Sequence, residues 1–128
     1  MKKLISFLAL VAISHSFVFP QGCLPEGITF TTQEEIDNFQ TNYPGCTEIG
    51  GDVIIGSWQY TGNITNLNGL SVITYVGHDL IIRYNLNLES LMGLHNITEV
   101  GENMRIAKNP GLTDLNGLGN LTTIVGHL

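Results

Sequence analysis

The chain of 128 residues is 43% hydrophobic and only 12% charged, with 15 glycines and 4 prolines, which excludes low-complexity disorder and describes a folded chain. Five Lys and Arg oppose eleven Asp and Glu for a formal charge of -6, and Lys2 and Lys3 lie in a segment expected to be removed. The mature chain then carries three bases against eleven acids. A surface of that sign repels phosphate backbones and anionic headgroups, so it argues against nucleic acid and membrane surfaces as partners.

The chain opens on a basic Met1-Lys2-Lys3, an apolar stretch from Leu4 to Ile13, and the small residues Ser14 and Ser16. This pattern predicts a secretory signal peptide over residues 1–22, cleaved after Ser16 or nearer Gln21 and Gly22. The apolar run from Leu4 to Phe19 is 16 residues long and broken by His15. A bilayer span needs roughly 20, so no membrane insertion of the mature chain is expected. The destination is the exterior, secreted or at the cell surface.

Residues 23–45 form the next unit. Cys23 could be a lipidated first residue, but Pro20, Gln21 and Gly22 before it lack the aliphatic residue such processing favours. An even pair in an exported chain is better read as a disulfide between Cys23 and Cys46, worth roughly 3 kcal/mol for a loop of this length. With no CxxC and no paired His, the two cysteines lack a zinc ligand set. Thr32 with Glu35 fits a capping box, and Ile36, Phe39 and Tyr43 fall on one helix face, which predicts an amphipathic helix from Gln33 to Thr41 stopped at Pro44-Gly45.

From Cys46 to Leu128 the chain repeats. Ile73–Asn96 and Ile97–Asn120 align without a gap at an offset of 24, and 11 of the 24 positions are identical. An earlier copy, CTEIGGDVII from Cys46 to Ile55, lies at an offset of 27, while Asn63–Leu70 lies at 24, so three extra residues fall between Gly56 and Gly62. A fourth copy opens with Leu121–Leu128, its Val125-Gly126 set one residue late. Val53 and Ile55, Leu80 and Ile82, and Met104 and Ile106 alternate as strand residues facing one interior do, leaving Ile54, Ile81 and Arg105 facing out. Leu88, Leu91, Leu94, Leu112, Leu115 and Leu118 are predicted to point inward from other walls. The expected fold is mainly β: a right-handed parallel β-helix or leucine-rich-repeat-like solenoid of coils about 24 residues long, with an N-terminal capping α-helix. Asn85 over Asn109, and Asn96 over Asn120, are placed either to form amide ladders or to serve as turn residues.

CTEIGGDVII, the recurring LNGL or LMGL followed by ITxVG, and the Cys23-to-Cys46 module resemble the receptor L-domain-like proteins. That family includes the ligand-binding lobes of the epidermal growth factor and insulin receptors, and similar repeats occur in fungal cell-wall glycoproteins and exported proteins of Bacteroidetes. The resemblance covers Cys23 to Leu128 and implies a right-handed solenoid whose first coil is covered by the helix. The chain is shorter than the family's domains and has no closing cap.

Candidate sites are few. The four histidines are scattered, with His15 in the leader, His78 and His127 at strand-entry turns and His95 at a corner. Asp52 and Asp79 share a repeat position and Asp114 lies in another column; all three read as turn and edge residues rather than catalytic acids. No catalytic or metal residue and no cofactor is expected. Trp58 and Tyr60, in the three-residue insertion, read either as a sugar or protein contact or as aromatics folding back over the helix cap. Arg83, Arg105 and Lys108 fall close together on successive repeats. Asn63, Asn96 and Asn120 open Asn-x-Thr triplets that could carry glycans only in a eukaryotic pathway. These features predict a non-enzymatic binding or adhesion module that recognises a protein or glycan at the cell surface. The alternatives are a structural amino-terminal fragment of a longer surface solenoid, stacking with further repeats, and, more distantly, a polysaccharide-active β-helix enzyme.

Overall fold

The structure is a computed structural model that describes residues 22–128; the expected leader therefore lies, except for Gly22, outside the described residues, as does His15. Eight short strands alternate between two parallel sheets. In chain order these are β1 (Ile28–Phe30), β2 (Glu48–Ile49), β3 (Val53–Ile55), β4 (Tyr75–Val76), β5 (Leu80–Arg83), β6 (Glu99–Val100), β7 (Met104–Ala107) and β8 (Thr123–Ile124). One sheet has the order β1-β3-β5-β7 and the other β2-β4-β6-β8.

The repeat spacing sets the register. Val53 lies opposite Leu80, and Leu80 opposite Met104; Ile55 and Ile82 pair in the same way. These residues face the interior and bury together with Ile49, Val76 and Val100 from the second sheet. Leu67, Leu70, Leu88, Leu91 and Leu94 close the core from the connecting segments. Each buried aliphatic side chain contributes about 1.5–3 kcal/mol relative to exposure.

Residues 23–45 are built into this arrangement. β1 pairs with β3, with Phe30 opposite Ile55. The Cys23–Cys46 disulfide is present and closes the segment. Two helices follow β1: α1 (Gln33–Asp37) and α2 (Phe39–Asn42), which put Ile36 and Phe39 into the core. Phe39 meets Phe30 edge-on at 5.7 Å between centroids. The single helix expected from Gln33 to Thr41 is thus interrupted at Asn38, whose backbone (φ -95°, ψ 6°) leaves helical geometry. The capping box forms: the Glu35 amide donates to Thr32 Oγ1, and Glu35 Oε2 accepts from the Thr31 and Thr32 amides at 2.7 and 2.8 Å.

The fold class read from the sequence is corrected. In place of a mainly β helix or leucine-rich-repeat-like solenoid with one capping helix, the chain is a small α/β structure of two four-stranded parallel sheets with two short helices. The physical reason is the brevity of the strands. Each repeat gives two residues to one sheet and three or four to the other. The remaining residues form turns and single 3-10 turns such as Asn68–Leu70 and Asn116–Leu118, closed by local bonds like Leu70 N to Leu67 O. A periodic row of leucines signals burial, and burial is equally met by a turn that contributes no strand.

At the carboxyl end, Thr123 and Ile124 pair with Glu99 and Val100 at the unbroken offset, so Val125 stands where Gly101 stands in the repeat before and the Val-Gly pair falls one residue late, as read from the sequence. One further expectation changes here. Leu115 is 53% exposed, whereas its repeat partner Leu91 is fully buried. The two leucines therefore differ in cost. Leu91→Asp buries an unpaired charge and should eliminate the cooperative urea transition followed by far-UV circular dichroism. Leu115→Asp should stay folded, with a loss below about 1 kcal/mol.

The capping box carries a pH signature. Partial burial acts to raise the Glu35 pKa, but bonds from the Thr31 and Thr32 amides and hydroxyls outweigh it and hold the carboxyl below its ordinary value. A depressed folded pKa stabilises the protein above the unfolded value, and that stability is lost as pH falls through the folded value. Thermal melts from about pH 6 down to about pH 3 should show a steeper decline for wild type than for Glu35→Gln, and Thr32→Ala should cost about 1 kcal/mol at neutral pH.

Candidate functional site

The three-residue insertion is the one interruption of the repeat, and it builds the most distinctive surface of the molecule. β3 ends at Ile55 and the chain passes Gly56, whose φ of +119° and approach to the Arg83 carbonyl leave no room for a side chain. A 3-10 turn then forms at Trp58–Tyr60. Gln59 and Tyr60 both adopt left-handed backbone, with φ of 64° and 62°. Strain of this kind costs of order 1 kcal/mol or more per residue and persists only where surrounding contacts impose it. Here the Thr61 hydroxyl donates to Ser57 Oγ at 2.7 Å and to the Trp58 carbonyl at 3.2 Å, which closes the loop. Downstream, Gln33 fastens the chain to α1: its Oε1 accepts from the Thr65 and Asn66 amides, and its own amide donates to Asn63 Oδ1.

The loop sets Trp58 against the end of β5. Arg83 Cζ lies 3.9 Å from the Trp58 ring centroid, a cation–π contact. Tyr84 meets Trp58 at 5.8 Å and Tyr60 at 5.3 Å, the second pair nearly perpendicular. Trp58 nevertheless stays 63% exposed and Tyr60 39%. Arg83 Nε is buried without a hydrogen-bond partner. Trp58 does not fold back over the helix cap; its partners are Arg83, the last residue of β5, and Tyr84 directly after it. Tyr84 is itself left-handed (φ 59°), and the next residue, buried Asn85, anchors it. Asn85 Nδ2 donates to the Ile55 carbonyl and to Asn109 Oδ1, so this pair does form a side-chain amide ladder.

The other candidate residues are placed separately. Asn96 and Asn120 do not ladder: each donates its Nδ2 to the backbone of the preceding repeat, at Ser71 O and His95 O, both at 2.6 Å. Asn63 Oδ1 accepts from the Gln33 amide in the first turn of α1. Asp52 and Asp79 act on backbone: Asp52 Oδ1 accepts from the Asp79 amide, Asp79 Oδ1 from the Asn103 amide, and Asn103 Oδ1 from the His127 amide. This column runs the length of the repeats, and its Asn103 member went unnoticed in the sequence because the repeat identity Asp/Asp/Asn is chemical rather than literal. His78 reaches Asp52 at 4.0 Å with both side chains about half exposed. Among the described residues, no group of three or more His, Cys, Asp or Glu is placed to hold a metal ion. A depression of about 540 Å³ lies beside the disulfide, between Tyr43, Pro44 and Cys46, away from the aromatic cluster.

The disulfide is compatible with an extracellular protein, and no helix among the described residues is long and apolar enough to cross a membrane. Comparison with protein-family models, with curated proteins and with solved structures finds no match to this chain.

Trp58 is the only tryptophan, so its fluorescence reports on this cluster alone. Its emission should be that of a solvated indole and be readily quenched by acrylamide. Arg83→Ala should increase quenching by opening the covered face. An emission unaffected by Arg83→Ala would remove the cation–π contact.

Proposed function

We propose that this chain is an exported, non-enzymatic binding module that engages a protein or glycan at the cell surface through Trp58, Tyr60, Arg83 and Tyr84. The observation that carries this reading is the exposure of a tryptophan held against an arginine by two strained tyrosines. Exposed apolar surface is costly to solubility and is retained where a ligand covers it. Aromatics and arginine on a positioned loop are also the residues that dominate binding energy. The likeness of the repeats to receptor L domains, the basic and apolar leader, and the disulfide support export and a recognition role.

A second reading is structural: the chain is the amino-terminal part of a longer surface protein. Exposed Leu115, Val125 and Leu128 beside the free edges of β7 and β8 favour it, since further repeats packing there would cover them. The two readings separate on Trp58. Labelled full-length chain, secreted in folded form, is to be titrated onto intact cells and envelope fractions. Trp58→Ala and Tyr60→Ala should each weaken attachment about tenfold or more, while Tyr43→Ala, which packs on Phe39 outside the aromatic cluster, leaves it unchanged. Attachment indifferent to both substitutions would overturn the binding role of this surface.

A further inference from the structure

The same patch holds nearly all the positive charge of the molecule. Arg83, Arg105 and Lys108 are the only lysines and arginines of the described residues, against eleven acids. Random placement on such a chain would scatter them. Instead they lie on or directly after two neighbouring strands: Arg83 is opposite Ala107, with Arg105 two residues before it and Lys108 one residue after, just beyond the strand. Arg105 faces outward, opposite Ile81, on the same side of the sheet as Arg83. With strands about 4.8 Å apart and a rise of about 3.3 Å per residue, the Arg83 and Arg105 Cα atoms are about 8 Å apart.

None of the three forms an ion pair with a carboxylate among the described residues, although acids outnumber them. The neighbours of Arg83 across the sheet are Gly56 and Ala107, both too small to cover it, so its guanidinium is free to lie on Trp58. Nε is enclosed and without a partner, while the two terminal nitrogens are neither enclosed nor hydrogen-bonded among the described residues, so they are the donors left to receive a carboxylate, which a guanidinium can do in a bidentate manner.

Building on the reading that this surface is the binding site, we propose that its ligand is an acidic polysaccharide of the polyuronate kind, a chain of sugar rings each bearing a carboxylate. Three features select this class. The rings of Trp58 and Tyr60 are exposed and take the apolar C–H face of a pyranose. Arg83 beside them takes the carboxylate of the same sugar. Arg105 and Lys108 continue the positive charge along the sheet, so successive carboxylates on one polymer are met in turn, which a single free phosphate or acetate would not use. The negative charge of the remaining surface disfavours polyanions that wrap the protein and confines contact to this one strip.

The test uses the full chain, secreted and folded, with polygalacturonate as probe, followed by calorimetry and affinity electrophoresis. The comparators are the same polymer with its carboxyls reduced to alcohols, and polyglutamate. Polygalacturonate should bind, and the reduced polymer should bind at least about tenfold more weakly. Arg83→Gln should lose about tenfold, Arg83→Lys should lie between, and the double variant Arg105→Gln/Lys108→Gln should bind more weakly and lose part of the salt dependence. Circular dichroism identifies any variant that fails to fold, and Arg105 and Lys108, both exposed, leave the fold intact. Equal binding of the reduced polymer overturns the acidic assignment while leaving a glycan site. Equal binding of polyglutamate, unaffected by Trp58→Ala, assigns the patch to acidic protein instead and overturns the proposal. Absent polygalacturonate binding with Trp58-dependent attachment to cells intact rejects the ligand class alone; absence of both rejects the binding reading as well.

Discussion

Parallel registration of each repeat on its neighbour is the constraint from which the other features of the chain derive. A pair of strands two to four residues long has little intrinsic stability, and parallel pairing adds the closure cost of the residues between. What offsets that cost is that every apolar side chain in a column finds an equivalent one above it: Val53, Leu80 and Met104 in one column, Ile49, Val76 and Val100 in another. A slip of one residue would turn each inward side chain outward in both sheets together. The register is therefore specified by the whole core and by no single contact.

Polar columns share that register and satisfy backbone that the short strands leave unpaired. The Thr74, Thr98 and Thr122 hydroxyls each donate to the threonine carbonyl one repeat earlier. Asp52, Asp79 and Asn103 accept the amide one repeat later. Beside the core, Asn85 and Asn109 donate Nδ2 to the Ile55 and Ile82 carbonyls one repeat earlier, and Asn109 Oδ1 accepts from the Asn85 amide as well as its side chain. Buried turn backbone needs a partner, and these side chains supply it where no ladder bond exists. This is how a chain with so few strand residues maintains two parallel sheets.

The legible parts of this structure are those that repeat or that follow from local chemistry. The offset, the inward and outward residues of β3, β5 and β7, the capping box at Thr32 and Glu35, and the pairing of Cys23 with Cys46 all follow from local chemistry or from spacing, and so could be read without coordinates. The fold class was misjudged because leucine periodicity reports burial and does not distinguish a strand from a tight turn; Leu91 and Leu70 are as buried in turns as Leu80 is in a strand. Leu115 was misjudged because burial is a property of what covers a residue, and its own sequence context matches that of Leu91. At Trp58, composition alone marked a loop with aromatics. The partner that turns it outward, Arg83, is 25 residues away and is brought alongside only by the parallel register.

That last dependence explains why the insertion falls where it does. Three residues added to a regular repeat must leave the column, and the cheapest place is a corner after a strand, where Gly56 already permits a positive φ. The excess chain cannot enter the core, since the columns on either side remain in register at Ile55–Ile82 and Ile82–Ile106. It must project over the outer face at the end of β5. There it meets Arg83, a cation with small flanking residues and no carboxylate partner among the described residues, and a cation–π contact is the most favourable interaction on offer. The exposed tryptophan and the left-handed Tyr60 arise from this departure from periodicity, whereas Arg83, Tyr84, Arg105 and Lys108 belong to the regular repeats, Tyr84 and Lys108 being left-handed at equivalent positions. The irregular loop lays its aromatics on charge that the regular strands already carry.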